Sequence, residues 1–559
     1  MKKDIFLILV LSIFGTKSLA YDISVKNADS ITIYYSYINN GKELEVSQGS
    51  YSGFVDIPDS VMYMDQTCSV TSIGKFAFRD CSFLTSVAIP NSVNRIGYGA
   101  FYGCSGLTSV TIPDNVKSIG DVAFYNCSGL TSVSIPNSVT NIGMYVFWHC
   151  IGLTSVTIPN SVTSIGESTY AGCSGLTSIQ VESGNAYYDS RDNCNAIIET
   201  SSNTLIAGCS RTIIPNSVTS IKKYAFYGSI GLTNLAIPNS VTSIGDLAFG
   251  GCIGLPSVVI PNSVTNIAPG AFRNCSSLTS ITIPNSVESI GYDTFAGCSG
   301  LTSIQVERGN TYYDSRDNCN AIIETSSNTL IVGCSNTTIP NSVTGIGDYA
   351  FYGRGGLTTI TIPNSVKRIG IHAFSDCIGL TSVTIPNSVT SIENCAFEGC
   401  SSLTSVTIGN GVTSISPYAF SGCNLTEVIS KIKNPFNIRT NTFSDSTFYN
   451  ATLFVPVGTI GKYKATEGWK GFAFIKEGNG NENSIVLVRT NAVLIQSDRG
   501  RITVNGIDDG TIIYVYNTNG ILSGTAISRN GSAVVNSSLQ VGSVVIVKIG
   551  DKCLKVIIR

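Results

Sequence analysis

Cysteine and histidine are the side chains best equipped for metal binding or nucleophilic chemistry. This 559-residue chain carries 18 cysteines but only two histidines, His149 and His372. Their spacing excludes the familiar sites. There is no Cys-x-x-Cys pair and no His-Glu-x-x-His, and the two histidines stand 223 residues apart. Eleven cysteines form a regular column instead: Cys81, Cys104, Cys127, Cys150, Cys173, Cys252, Cys275, Cys298, Cys377, Cys400 and Cys423. That column reads as packed free thiols beside a column of phenylalanines. Ser229 and Arg354 interrupt it, and an arginine there predicts a core edge open to solvent.

Four further cysteines stand apart. Cys194 with Cys209, and Cys319 with Cys334, flank two predicted hairpins and are candidate disulfides in an oxidising compartment. The adjoining loop Asp189-Ser-Arg-Asp192-Asn193-Cys194-Asn195 is rich in oxygen donors. It lacks the calcium-loop spacing and contains an arginine, so polar turn chemistry is the better account. No phosphate loop or nucleophile elbow occurs, and no catalytic, cofactor-binding or metal-ligating residue is assigned. The chain is expected not to be an enzyme, although a glycan-processing pair of carboxylates remains a remote alternative.

Aromatic residues offer a different chemistry. Tyr102, Tyr125, Trp148, Tyr227 and Tyr352 share one variable position beside the Phe column, while Tyr187, Tyr188, Tyr312 and Tyr313 enter the two predicted hairpins. Exposed aromatic rows suit protein or carbohydrate contact; rings that merely cover the Phe column are the alternative. With 34 basic and 36 acidic residues, net charge -2, no electrostatic attraction to nucleic acid is expected.

The element that must position these groups is a repeat of 23 residues. Leu107 to Cys127 follows Leu-x-x-Val-x-Ile-Pro-Asn-Ser-Val-x-x-Ile-Gly-x-x-Ala-Phe-x-x-Cys, and its leucine recurs at Leu84, Leu130, Leu153 and Leu176. The series resumes at Leu232, Leu255, Leu278 and Leu301, and again at Leu357, Leu380 and Leu403. A short fixed period predicts stacked coils, a solenoid. Val-x-Ile predicts a short strand that Pro113 ends, and Gly120 marks a second turn. The Phe stretch predicts one helical or 3-10 turn. Coils about 4.8 Å apart would place roughly a dozen strands in one parallel sheet.

Two coils are longer. Leu176 to Leu232 spans 56 residues in place of 23, so 33 residues are inserted. Val181 to Cys209 recurs 125 residues later as Val306 to Cys334, with three differences. Ala196 to Glu199 and Thr204 to Gly208 predict a hairpin projecting from the stack, placing the inserts near 182–212 and 307–337.

These columns resemble the BspA-like class of leucine-rich repeats of bacterial surface proteins. The resemblance implies a solenoid over residues 70–424 and a role in adhesion. It also implies an N-terminal β cap over 21–69 and a closing segment over 425–477. A glycine-rich linker at 478–483 and a small all-β sandwich at 484–559 follow, the latter loosely resembling a sorting or attachment domain. Lys2, Lys3, the apolar run Ile5 to Phe14 and Ser18-Leu19-Ala20 form a secretory signal expected to be cleaved near Ala20. The expectation is a secreted or cell-surface monomer. It would have no transmembrane span in the mature chain and no cofactor, and would bind an extracellular protein or polysaccharide. A passive spacer is the alternative.

Overall fold

The computed structural model describes residues 21–478, 494–498, 501–536, 540, 543–549 and 552–557. The expected signal segment, 1–20, and all of the expected linker after Gly478 lie outside the described residues. The chain divides into two compact units, one ending at Ile475 and the other running from Lys476 to Arg559.

The first unit is a solenoid, and its coil follows from the columns. In Leu107 to Cys127 the side chains of Leu107, Val110, Ile112, Val116, Ile119, Ala123, Phe124 and Cys127 are all buried. After Pro113 the chain turns, with the Val116 N–H donating to the Pro113 carbonyl at 3.1 Å. Ser118–Ile119 then pairs in parallel with Arg95–Ile96 of the coil before and Asn141–Ile142 of the coil after. At Gly120 an added Cβ would lie 2.7 Å from the carbonyl carbon of Gly97, so the close approach of coils admits no side chain.

The Phe stretch is not helical. Val122, Phe124 and Asn126 donate their N–H groups forward to Met144, Val146 and Trp148. Ala123, Tyr125 and Cys127 donate back to Gly120, Val122 and Phe124. This alternation needs left-handed backbone twice per coil, at Val122 (φ 51°) and Asn126 (φ 57°). A single helical turn would leave half of these donors without the inter-coil ladder.

The expected continuous sheet is also corrected. The persistent ladder runs through the Ser-Ile dipeptides rather than Val-x-Ile, and it is divided into three sheets of nine, seven and seven strands. Val-x-Ile strands pair only in patches, such as Ser155–Ile158 with Ser178–Val181, and proline ends most of them after three or four residues, as Pro159 does.

The divisions fall at the inserts, which do not project. Ala196–Glu199 pairs antiparallel with Thr204–Gly208, and Thr204–Gly208 pairs in parallel with Ser220–Ile221 of the next coil. The hairpin is therefore a wall inside the stack. Ile197, Ala207 and Cys209 face the core segment before it, whereas Cys194, Ala196, Ile198 and Leu205 face the one after. Both faces are apolar, so burial on both sides outweighs exposure of either. The second copy divides the core in the same way, with Ile322, Val332 and Cys334 on one side and Cys319, Ala321, Ile323 and Leu330 on the other.

Antiparallel strands Ile23–Lys26, Thr32–Ile38 and Glu43–Val46 cover the first coil, the last of them pairing in parallel with Gln66–Ile73. At the far end the buried Trp469 donates its indole N–H to the Phe436 carbonyl at 2.9 Å. Among the described residues the second unit has one sheet of Leu494–Asp498, Arg501–Asn505 and Ser532–Asn536 and another of four strands, around Ile502, Val504, Ile513, Val515, Val535, Val545 and Val547. Among the described residues no helix is long and apolar enough to cross a membrane.

Candidate functional site

Inter-coil hydrogen bonds hold equivalent positions in register, so one residue type repeated along the column becomes a ladder. Inside, Phe78, Phe101, Phe124, Phe147 and Tyr170 stack at 4.9 to 5.5 Å. The next residue of each coil points outward. Tyr102 and Tyr125 stack at 4.8 Å with ring planes 1° apart, and Tyr125 is followed by Trp148 at 6.4 Å. The following coil has Ala171 at this position, and Trp148 extends past it to stack on Tyr227 at 5.3 Å. That contact is possible because the inserted hairpin leaves this edge of the stack continuous: the Gly172 N–H donates to the Tyr227 carbonyl at 2.7 Å.

A second row, three residues earlier, was missed in the linear reading. Phe76, Tyr145 and Tyr224 meet Tyr102, Trp148 and Tyr227 edge to face, and Tyr98 meets Phe76 in the same way. The signal was the i, i+3 pairs Tyr145/Trp148 and Tyr224/Tyr227. Cations lie over these rings: Lys75 over Phe76 and Tyr98, Arg79 over Phe76 and Tyr102, and Lys223 over Tyr224 at 5.2 Å. The result is a half-buried aromatic ridge flanked by cations, of which Arg79 and Lys223 are paired with Asp80 and Glu167. Burial pushes the Tyr125 hydroxyl up and the His149 imidazole down, so both are held neutral over a wide pH range.

Tyr352 is not part of that ridge. It lies in a second cluster with Tyr349, His372 and Arg273, whose guanidinium sits 5.8 Å from the Tyr352 ring centre and 2.7 Å from Asp293. Tyr187 and Tyr312 are exposed. Tyr188 and Tyr313, proposed as contact residues, are corrected: both are buried, and their hydroxyls accept the Ile165 and Ile290 N–H at 3.0 and 2.9 Å. Each takes the place of the strand partner that the insert displaces.

The candidate disulfides are likewise corrected. Cys194, Cys209, Cys319 and Cys334 are free thiols, because the cysteines of each pair face opposite sides of the hairpin wall. Cys194 Sγ points toward the Ala196 carbonyl and Cys209 Sγ toward that of Asn195. In the adjoining loop Arg191 grips Asp189 through two nitrogens at 2.8 and 2.6 Å, which occupies the carboxylate a cation would need.

The thiol column does more than fill space. Cys104, Cys127, Cys150 and Cys173 direct their thiols at the carbonyls of Phe78, Phe101, Phe124 and Phe147, at 3.0 to 3.1 Å. Burial pushes Cys173 and Cys252 up to about 12, which keeps them protonated donors. Arg354 is corrected too. It is fully buried, and its guanidinium donates to the carbonyls of Gly333, Cys298, Tyr352 and Phe295.

With the coil, the ladders and the ridge described, the class is defined: a leucine-rich-repeat β-solenoid. Residues 69–196, 205–321 and 328–450 match the BspA type leucine rich repeat region, in six copies, and the chain belongs to that family. Among solved structures, a leucine rich cell surface protein from Faecalibacterium prausnitzii is 26% identical, covering 80% of this chain and 98% of its own, with TM-score 0.41. A leucine-rich repeat protein from Bacteroides ovatus is 28% identical over 76% of this chain and 98% of its own, with TM-score 0.38. One from Eubacterium ventriosum is 22% identical over 72% and 96%, with TM-score 0.40. No curated protein matches the chain.

Proposed function

We propose that this protein is an exported, non-enzymatic surface protein that binds an extracellular macromolecule through the aromatic ridge of Tyr102, Tyr125, Trp148 and Tyr227. The observation that carries this reading is the outward ladder itself, with Arg79 set over Tyr102 and Lys223 over Tyr224 beside it. Aromatic and arginine side chains dominate the energetics of protein contact surfaces. The stacking also favours one ligand class over another. Tyr102 and Tyr125 cover each other's faces and present edges and hydroxyls, which suits a protein partner better than a sugar ring that must lie flat on an exposed face. A rigid ladder of similar positions supports many weak contacts acting together. We assign retention or sorting to the C-terminal β unit.

The test is binding of the immobilised protein to a panel of host matrix proteins, mucins and bacterial polysaccharides. Saturable binding to a protein ligand that falls at least ~10-fold in a Tyr102→Ala/Trp148→Ala variant is expected, as for loss of a central aromatic anchor. Absence of saturable binding across the panel would favour a spacer role.

A further inference from the structure

The two histidines are not equivalent, because one meets a cysteine outside the thiol column. Positions 349, 372, 395 and 418 fall 23 residues apart, one per coil, and hold Tyr349, His372, Cys395 and Tyr418. All four are left-handed, with φ of 59°, 50°, 56° and 60°. The His372 N–H donates to the Asn394 carbonyl at 3.0 Å, and the Cys395 N–H donates to that of Pro417 at 3.2 Å, so each side chain leaves a fixed point on the stack. Three residues past Cys395, Glu398 returns to the same edge. Donor atoms of His372, Cys395 and Glu398 all lie within 4.8 Å of one another.

We propose that His372, Cys395 and Glu398 form a binding site for one zinc ion, with water in the remaining position. The donor set is imidazole, thiolate and carboxylate, which suits zinc and does not suit calcium or magnesium, whose ligands are all oxygen. Three protein ligands plus an open position is a common zinc arrangement. His372 Nδ1 lies 3.8 Å from Glu398 Oε2, close to the roughly 3.4 Å between ligand atoms around a tetrahedral zinc with bonds of about 2.1 Å. Both side chains are partly exposed, so an ion can enter.

Three further features distinguish this cluster from a chance meeting. Cys395 is outside the column whose thiols serve Phe carbonyls, so nothing in the repeat requires a cysteine there. Ser375 holds the backbone of one ligand, its hydroxyl donating to the Cys395 carbonyl at 2.5 Å; its 2.9 Å contact with His372 Nδ1 is exchanged for the ion on binding. Tyr349 stacks on the imidazole with ring centres 5.1 Å apart, which fixes the ring plane. Such outer partners orient metal-binding side chains. On binding, zinc replaces the Cys395 thiol proton, which passes to solvent. The site is independent of the aromatic ridge.

Cobalt reports it directly. The full chain, stripped with a chelator, is titrated with Co²⁺, and a thiolate-to-cobalt charge-transfer band saturating at one equivalent is expected, bleached by Zn²⁺. Cys395→Ser should abolish the band. His372→Ala and Glu398→Gln, at partly exposed positions, should each weaken binding at least ~10-fold, the lower bound for loss of even an outer partner. His149→Ala should leave the titration unchanged. Absence of the band in the wild-type chain, or its persistence in Cys395→Ser or in the His372→Ala/Glu398→Gln double variant, overturns the proposal.

Discussion

Nη2 of Arg354 lies 2.9 Å from the carbonyl oxygen of Phe295, taking the place that a cysteine thiol takes in most other coils, those of Cys81 and Ser229 apart. Cys377, one coil later, directs its thiol at Phe351 in the same way. In those coils the column adds a side-chain donor to a buried Phe carbonyl that already accepts a backbone N–H, as Phe78 accepts from Cys81. After the second insert a guanidinium does the same while also reaching Gly333, Cys298 and Tyr352.

Arg354→Ala should therefore be strongly destabilising, since it leaves a cavity and removes the side-chain donor from four carbonyls, of which those of Phe295, Cys298 and Tyr352 keep only a backbone N–H. A loss of about 3 kcal/mol is expected, the scale of breaking a buried charged network. Arg354→Lys should recover only part, because one ammonium cannot reproduce the planar fork. Urea unfolding followed by circular dichroism checks both. A midpoint for Arg354→Ala equal to wild type would show that the guanidinium holds nothing.

The thiol ladder makes stability sensitive to alkali. Cys173 and Cys252 are pushed from an ordinary value near 9 up to about 12 by burial. The folded state holds these protons more tightly than the unfolded chain. Stability is therefore fully present below pH 9 and falls as the pH rises toward 12, by up to about 1.4 kcal/mol per pH unit for each such thiol. Thermal midpoints measured from pH 8 to 11 should fall, and less steeply in a Cys173→Ala/Cys252→Ala variant. At pH 8 a thiol reagent should modify Cys553, the exposed cysteine, on the native chain, and all 18 after denaturation without reductant. Fewer than 18 would mean that disulfides exist.

Tyr188→Phe tests the hairpin wall. The change removes the hydroxyl that accepts the Ile165 N–H and leaves that buried donor without a partner, at a cost of about 1–2 kcal/mol. Tyr313→Phe should cost the same, because the second copy repeats the contact with Ile290. Wild-type stability in both would mean that water replaces the hydroxyl at no cost.

What could be read in the chain before its structure was whatever repeats. Each coil is an independent statement of the leucine, proline, glycine and Phe positions, so the columns separate core from surface unaided. The inserts offer no such comparison. Their two copies are nearly identical, so nothing distinguishes the buried Tyr188 from the exposed Tyr187 beside it. Apolar residues on both faces of Ala196 to Glu199 were the available sign that the hairpin is internal. Arg354 was misjudged for a different reason: a charge was assumed to need solvent, whereas four carbonyls suffice. The cluster of His372, Cys395 and Glu398 is invisible as linear spacing. It emerges only when stacking superimposes positions 23 residues apart.

The two glycine columns differ in kind, and substitution should separate them. Gly120 has no left-handed backbone, yet an added Cβ would lie 2.7 Å from the Gly97 backbone, which cannot move without parting the coils. Gly251 has φ 72°, but its Cβ would meet nothing nearer than 3.6 Å. The equivalent positions already hold Asn126 at φ 57° and Asn274 at φ 59°. Asparagine tolerates the left-handed region, so Gly251→Asn should change stability by less than about 1 kcal/mol. Gly120→Ala, although it inserts only a methyl group, should cost about 1–3 kcal/mol by overpacking. Paired thermal melts decide the matter. If Gly120→Ala proves as mild as Gly251→Asn, then backbone approach between coils is not what selects glycine after each Ser-Ile strand.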